Sequence, residues 1–419
     1  MAAALGVPVL RVLVISLLDG LHDFIICTAG KALNALLRSK KHLCRNGFAR
    51  IVVDGLSGSL YACGERASDQ NNVIFMAAYT ELHKSFLEQL GEDYNLGRIL
   101  GAVGIPQGSV NSNYLIETAK GRFTLRVDEV KTESEVKREI DLLTFLRKHS
   151  FPCPHPLQDR MGRYWRECEG KCASLYRYHE GRIVAPERLR PSQLETIGRA
   201  LGELHVIGKG YKKGIDNRFS FERIADLYLS VRGRLPNYFR KISRTLEDEV
   251  DYLTRYLEGK LPKGVIHGDL FADNVLFRGE KLTAVLDFEA ACRGKFIFDL
   301  ATAVNALCFV DSQYSLDRFR YLLHGYESVR TLSLAEWDAF PNELRYSSLR
   351  FTVTRLHDFF LHPLDNNRRV HKDFREFFER LRILRREREG GMEALLMAMA
   401  TGYDYRKYQK VKANERLKA

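Results

Sequence analysis

The sequence has no unbroken apolar run of membrane-spanning length, no cysteine frame, no internal repeat, and less acid than base. Its most apolar stretch, VPVLRVLVISLLDGLHDFIICTAG, is broken by Arg11, Asp19, His22 and Asp23, whereas a spanning helix needs about 20 mostly apolar residues. No membrane association is expected, and the stretch is a poor match to a cleaved signal. The eight cysteines are scattered, as in a chain from a reducing compartment, so a cytoplasmic location is expected. Cys168 and Cys172 come nearest to a metal pair, but no second pair or histidine follows at ligand spacing, which argues against structural zinc. The excess of base, 65 Lys and Arg against 53 Asp and Glu for a formal charge of +12, lies partly in the tail YRKYQKVKANERLKA. Such a tail reads as a solvated helix end, and no nucleic-acid partner is expected.

What is present is a globular composition: 419 residues, 45% hydrophobic and 28% charged, long enough for two or three packed layers. Residues 1–75 show no sustained period and read as an extension outside the catalytic fold, as from a start codon assigned too early. Intact mass of the protein made from its native gene tests that expectation. From Met76 the pattern is orderly. TELHKSFLEQL has helical spacing; YNLGRILGAVGIPQGSVNSNYLIET reads as strand, turn and strand; GRFTLRVDE reads as a third strand. ESEVKREIDLLTFLRKH places Val136, Ile140, Leu143 and Leu146 three and four apart, predicting an amphipathic helix that FPCPHP terminates. RYWRECEGKCASLYRYHEGR gives two more strands. Residues 76–181 thus form a small antiparallel lobe with one helix. Residues 182–390, including PSQLETIGRALGELHVIG and FERIADLYLSVRGRLPNYFRKI, form a larger, mainly helical lobe, and 391–419 are the basic tail.

The chemistry concentrates in GVIHGDLFADNVLF, residues 264–277, and LDFEAA, residues 286–291. Asp269 and Asn274 sit at the two ends of a turn between β-rich apolar runs, and Asp287 ends the next strand. Phosphoryl transfer needs this set. The nucleotide's magnesium requires hard oxygen ligands on rigid elements, which Asn274 and Asp287 provide. A separate carboxylate, Asp269, must orient the attacking hydroxyl and accept its proton. His267 is expected to brace the loop, and Asp299, in FDLA, to cap the helix entered there.

A kinase on this plan also needs a cation over the phosphates, held by a helix acid. The third strand, FTLRV, offers Arg126, and the following helix offers Glu139, with Lys131 as the fallback cation. Arginine is a fork that never loses its charge, so it binds phosphate with a geometry unlike that of lysine. The turn PQGSVNSNY offers Gly108 and the donors Ser109, Asn111, Ser112 and Asn113 as a phosphate cover, without a full G-x-G-x-x-G.

HGDLFADNVLF, LDFEAACRGKFIFDLATAVNALCF, VNSNYLIET and PCPHPLQDRMGRYW together resemble the aminoglycoside-phosphotransferase-like kinases, and among them the homoserine kinases of that fold. MAAYTEL, LRFTVTRLHDFFL and KDFREFF extend the resemblance over residues 76–385. It implies an α+β, protein-kinase-like, two-lobed fold with Asp269 as catalytic base and Asn274 and Asp287 on magnesium. It places adenine against the hinge near Tyr176–Tyr178. Ala272 stands where the family commonly has proline, and Arg126 where it has lysine. The implied reaction moves the γ-phosphoryl group of ATP to the hydroxyl of L-homoserine, giving O-phospho-L-homoserine for threonine biosynthesis.

A small zwitterion needs a cation for its carboxylate and an acid for its ammonium. Arg350, Arg355 and Asp358 in LRFTVTRLHDFF, and Glu289, are the candidates; Arg355 and Asp358 also have the spacing of an intrahelical pair. The rival readings are a kinase of the same fold for choline, ethanolamine, a sugar or an aminoglycoside, and a pseudokinase-like binding protein. The second would be marked by loss of Asp269, Asn274 or Asp287, all of which are present. A protein kinase is disfavoured, because no D-F-G or A-P-E follows.

Overall fold

The computed structural model describes residues 48–53, 60–64, 80–105, 111–257, 259–361 and 372–386. The chain divides into two compact units, Met1–Ile74 and Phe75–Ala419. In the first, β1 (Phe48–Val53) pairs antiparallel with β2 (Leu60–Gly64). The remainder of the expected extension, Gly108 and the basic tail lie outside the described residues.

The second unit begins with α1 (Lys84–Asp93), β3 (Ile99–Gly104), β4 (Ser112–Thr118) and β5 (Gly121–Asp128). Then come α2 (Glu133–Lys148), β6 (Trp165–Cys168) and β7 (Lys171–Arg177). The five strands form one antiparallel sheet in the order β3-β4-β5-β7-β6. Alternation along β5 decides its two faces. Phe123, Leu125 and Val127 join Leu90 and Tyr94 in an apolar cluster, while Arg126 turns to the opposite face and meets Glu139 of α2. The helix starts where Glu135 reaches back to the Thr132 N–H (2.9 Å) and hydroxyl (2.7 Å), a capping arrangement. Val136, Ile140, Leu143 and Leu146 are all buried, as their spacing predicts.

The chain crosses to the second lobe at β8 (Arg182–Ile183), which pairs with β10 (Val275–Arg278) of that lobe. Helices α3 (Pro191–Gly208), α4 (Phe221–Arg232) and α5 (Arg240–Tyr256) follow. FERIADLYLSVRGRLPNYFRKI, expected to be helical throughout, is two helices: Gly233 caps α4, and Pro236 leads into a 3-10 turn, Asn237–Phe239, before α5. The centre of the lobe is α6 (Phe296–Leu307), buried at every position. Around it stand α3, α7 (Leu316–Glu327) and α8 (Leu334–Arg355), with α9 (Arg375–Arg386) against α8. Helices α3 and α7 cross at bare backbone. A methyl at Gly198 would lie 1.9 Å from Leu322 O, and one at Gly325 1.9 Å from Glu195 O. Among the described residues no helix is long and apolar enough to cross a membrane.

Two small sheets set up the site. β9 (Lys263–Ile266) pairs with β12 (Cys292–Lys295), and β10 pairs with β11 (Lys281–Val285), all antiparallel. The loop from β9 to β10 and the loop from β11 to β12 therefore span the same gap and run side by side. Those loops carry Asp269 and Asn274, and Asp287.

Candidate active site

Backbone accounting shows how the first loop is held, since buried N–H and C=O groups need partners. Asp299 accepts the N–H groups of His267 and Gly268, each at 2.7 Å. The Asp269 N–H donates to His267 Nδ1 (3.2 Å), and His267 Nε2 donates to Leu286 O (2.8 Å), the residue before Asp287. The imidazole is thus fixed with its proton on Nε2 and bridges one loop to the other. Arg350 donates to Gly268 O. Asn274 Nδ2 donates to Asp269 O (2.9 Å), and Leu286 N donates to Asn274 O (2.8 Å). Gly268 is required here: its φ is +75°, and a methyl would lie 2.9 Å from Ala290 O.

Asp299 does not cap its helix. Lys295 is the capping position of α6, and Asp299, a full turn inside, instead reaches the catalytic loop and lies 3.1 Å from His205 Nε2. Burial works against its charge, but the bonds from His205 and the loop outweigh it, and its carboxyl is lowered overall. His205, with Tyr326 at 2.8 Å behind it, was not anticipated; a helix histidine so far along the chain gives no local sign of such a role.

Asp287 adopts left-handed backbone, φ +58°, which turns the chain sharply out of β11. Asp287 keeps an exposed edge, yet the protein packed around it, then the charges of Glu289, Asp269 and Glu139, raise its carboxyl, with Arg126 opposing. So strong a crowding of negative charge is what a cation relieves. Among the described residues no three acidic, His or Cys groups form a ready-made cage. Magnesium is normally held by one or two protein oxygens together with substrate phosphates. Asn274, whose amide nitrogen is spoken for by Asp269 O, has its carboxamide oxygen to offer, so the donor set fits.

In the first lobe Arg126 donates to Glu139 Oε1 at 2.8 Å, and Lys131 donates to its other oxygen at 2.6 Å. Burial would raise the Glu139 carboxyl, but the two cations outweigh it and hold it at about 2. Asp128, not singled out from the sequence, is buried beneath both, 3.4 Å from Arg126 Nε and 3.2 Å from Lys131 Nζ. Its position two residues after Arg126 on a strand was the available signal.

Several expected contacts are placed elsewhere. Ser112 faces the apolar side of the sheet and bonds Glu129, so it is turned away from Arg126; Asn113, opposite Arg126 in the register, shares that residue's face. The Tyr176 ring is buried under Arg126, 5.4 Å from its guanidinium carbon, and offers no platform for adenine; Tyr178 lies half-buried beneath Arg122. Glu289, offered from the sequence to an ammonium group, takes Asn111 and Lys131 on Oε1, the latter at 3.1 Å. Arg355 and Asp358 do not pair. Arg355 binds Glu376 (2.7 Å) and Asp373 O (2.9 Å) of the segment entering α9, and Asp358 binds His357. The helix widens to a π turn at Leu356–Leu361, so residues three apart no longer share a face. Arg350 is buried between Phe219 and Phe351, 4.0 and 4.3 Å from the ring centres, and feels the charge of Asp269.

Residues 101–332 match the model of the phosphotransferase enzyme family. A homoserine kinase of Parvibaculum lavamentivorans is 35% identical over 312 residues, covering 74% of this chain and 96% of that protein. One of Methylobacillus flagellatus is 34% identical over 288 residues, covering 68% and 88%. Among solved structures, an amicoumacin kinase with AMP-PNP and Ca2+ superposes with a TM-score of 0.56 at 16% identity, covering 73% of this chain and 92% of that one. A microcompartment-associated aminopropanol kinase gives 0.56 at 20% identity, covering 73% and 98%. The two-lobed kinase-like fold expected from the sequence is thus the observed one, and the chain belongs to the phosphotransferase enzyme family, in the group that holds these homoserine kinases.

Proposed function

We propose that the protein is an ATP-dependent small-molecule kinase, working in the cytoplasm, that phosphorylates the side-chain hydroxyl of L-homoserine to O-phospho-L-homoserine. The observation that carries the reading is the 35% identity to a homoserine kinase over 96% of its length. Asp269 accepts the proton of the attacking hydroxyl and orients its oxygen. Its loop is held by the partners of the His267, Gly268 and Asp269 N–H groups and of the Gly268 and Asp269 carbonyls. Asp287 and the Asn274 amide oxygen would hold magnesium, which when bound would supply neutralising charge at the transferred phosphoryl group. Arg126, fixed by Glu139, supplies the cation on the nucleotide side. Adenine is assigned to the hinge backbone at Tyr176–Tyr178, given the buried Tyr176 ring. Of the four candidate substrate contacts, Arg350 donates to Gly268 O, next to Asp269, and it is assigned to the homoserine carboxylate.

The test is a coupled ADP-release assay against homoserine, choline, ethanolamine, serine, threonine and kanamycin. Turnover of homoserine well above the others is expected. Turnover of another alcohol with homoserine inert would overturn the substrate, and no ADP release with any acceptor would overturn the activity.

A further inference from the structure

Glu289 is a carboxylate on the loop that carries Asp287, and its partners come from the opposite lobe. Asn111, just ahead of β4, donates to it, and Lys131, ahead of α2, lies 3.1 Å from Glu289 Oε1. Lys131 Nζ also lies 2.6 Å from Glu139 Oε2 and 3.2 Å from Asp128 Oδ1. One ammonium therefore joins three carboxylates, two in its own lobe and one in the other. The ion pairs of Arg126 with Glu139 and Asp128 lie within its own lobe. The need for such a group follows from charge. Arg126 and Lys131 face Asp128, Glu139, Asp287 and Glu289, and a triphosphate adds more negative charge. A bare carboxylate at position 289 would repel the nucleotide; neutralised by Lys131, it becomes a strut.

We propose that Lys131 and Asn111 clasp Glu289 across the cleft, making Glu289 a positioning residue that seats the start of β4 and α2 beside the loop that carries Asp287, with Lys131 as its counter-charge. The inference rests on the proposed nucleotide site. It differs from a direct phosphate contact by Lys131 in one measurable respect: the cost of losing Lys131 depends on the charge of Glu289.

The experiment is a double-mutant cycle in the full chain, reading the Kd of Mg·ATP by calorimetry alongside kcat and KM for ATP and homoserine. Lys131→Met should weaken Mg·ATP about tenfold or more by stranding Glu289, with little change in KM for homoserine. Adding Glu289→Gln to that variant should restore affinity to within about threefold of wild type. A double variant as weak as Lys131→Met overturns the clasp in favour of a direct phosphate contact. A second measurement uses the unaltered protein, so it stands if a variant does not fold. Carbodiimide activation of a carboxylate, attack by the lysine amine and release of the urea form an amide, so nucleotide-free protein should yield a Lys131–Glu289 cross-linked peptide. A Lys131–Glu139 link with none to Glu289 overturns the proposal. This cross-link does not depend on the acceptor: failure to turn over homoserine would refute the substrate reading and leave the clasp standing.

Discussion

Replacing Asp299 with asparagine keeps the side chain's size and removes the one feature the catalytic loop depends on, two acceptor oxygens. Asp299 takes the His267 and Gly268 N–H groups at 2.7 Å each, and His205 Nε2 lies 3.1 Å away. An amide presents one acceptor and one NH2 group to the same three neighbours. At least one backbone N–H is then buried without a partner, beside a second donor. Hydrogen bonds to charged groups contribute about 1.5–3 kcal/mol, and a stranded buried donor costs about 1–3 kcal/mol, so a loss of about 3–5 kcal/mol is expected. The peptides that shift are those leading into Asp269. A displacement of about 1 Å at a reacting group lowers turnover about a hundredfold, so kcat with homoserine should fall by that order while KM for ATP stays close to wild type. Urea unfolding and steady-state kinetics on one preparation measure both quantities. An unchanged unfolding midpoint together with kcat within tenfold of wild type would refute the assignment of Asp299 as the anchor of the loop.

Asp269→Asn should lower kcat by about 10²–10⁴, the usual contribution of a positioned general base, while Mg·ATP still binds in calorimetry; near-normal turnover would defeat the assignment. Asp287→Ala should abolish magnesium-dependent nucleotide binding, and an unchanged Mg·ATP affinity in titrations with and without the metal would count against it. Glu343 gives a pH dependence: burial raises its carboxyl to about 7 against the pull of Lys295. A raised carboxyl means that the native state holds the proton more tightly than the unfolded chain, so its contribution is complete below the ordinary value of 4.5 and is lost as pH rises through about 7. Between pH 5 and 8 the wild type should lose about 2–3 kcal/mol relative to Glu343→Gln, measured by urea unfolding at each pH; parallel pH profiles would show the group to be titrating normally.

How far the sequence discloses this molecule depends on whether partners are neighbours along the chain. The catalytic loop and the Asp287 turn are each contiguous, so their residue types and spacing are readable, and the flanking apolar runs already mark the strands that align them. The same holds for α2, whose buried face follows from four residues at helical intervals. Ser112 is a different case, since the information was present: Tyr114 and Ile116, at steps of two, lie on the apolar face of β4, and alternation alone puts Ser112 with them and Asn113 opposite. The broken helix at Gly233 to Pro236 was legible for the same reason.

Other features depend on pairings that cross the fold. Asp299 reads locally as a helix-start acid, yet its partners are His205, 94 residues away, and the His267 and Gly268 N–H groups. Arg355 and Asp358 read as a helical pair, but the π turn that separates them leaves no mark in residue type. The choice between Arg126 and Lys131 illustrates the limit most sharply. Treated as alternatives, the two cations compete for one role. In the folded protein they take separate oxygens of Glu139, and Lys131 also pairs with Glu289 of the second lobe. Arg126 belongs to a strand whose alternation fixes its direction, so its partner could be named in advance. Lys131 stands outside that strand, where nothing periodic constrains it, and its contact with Glu289 exists only because two lobes close on each other.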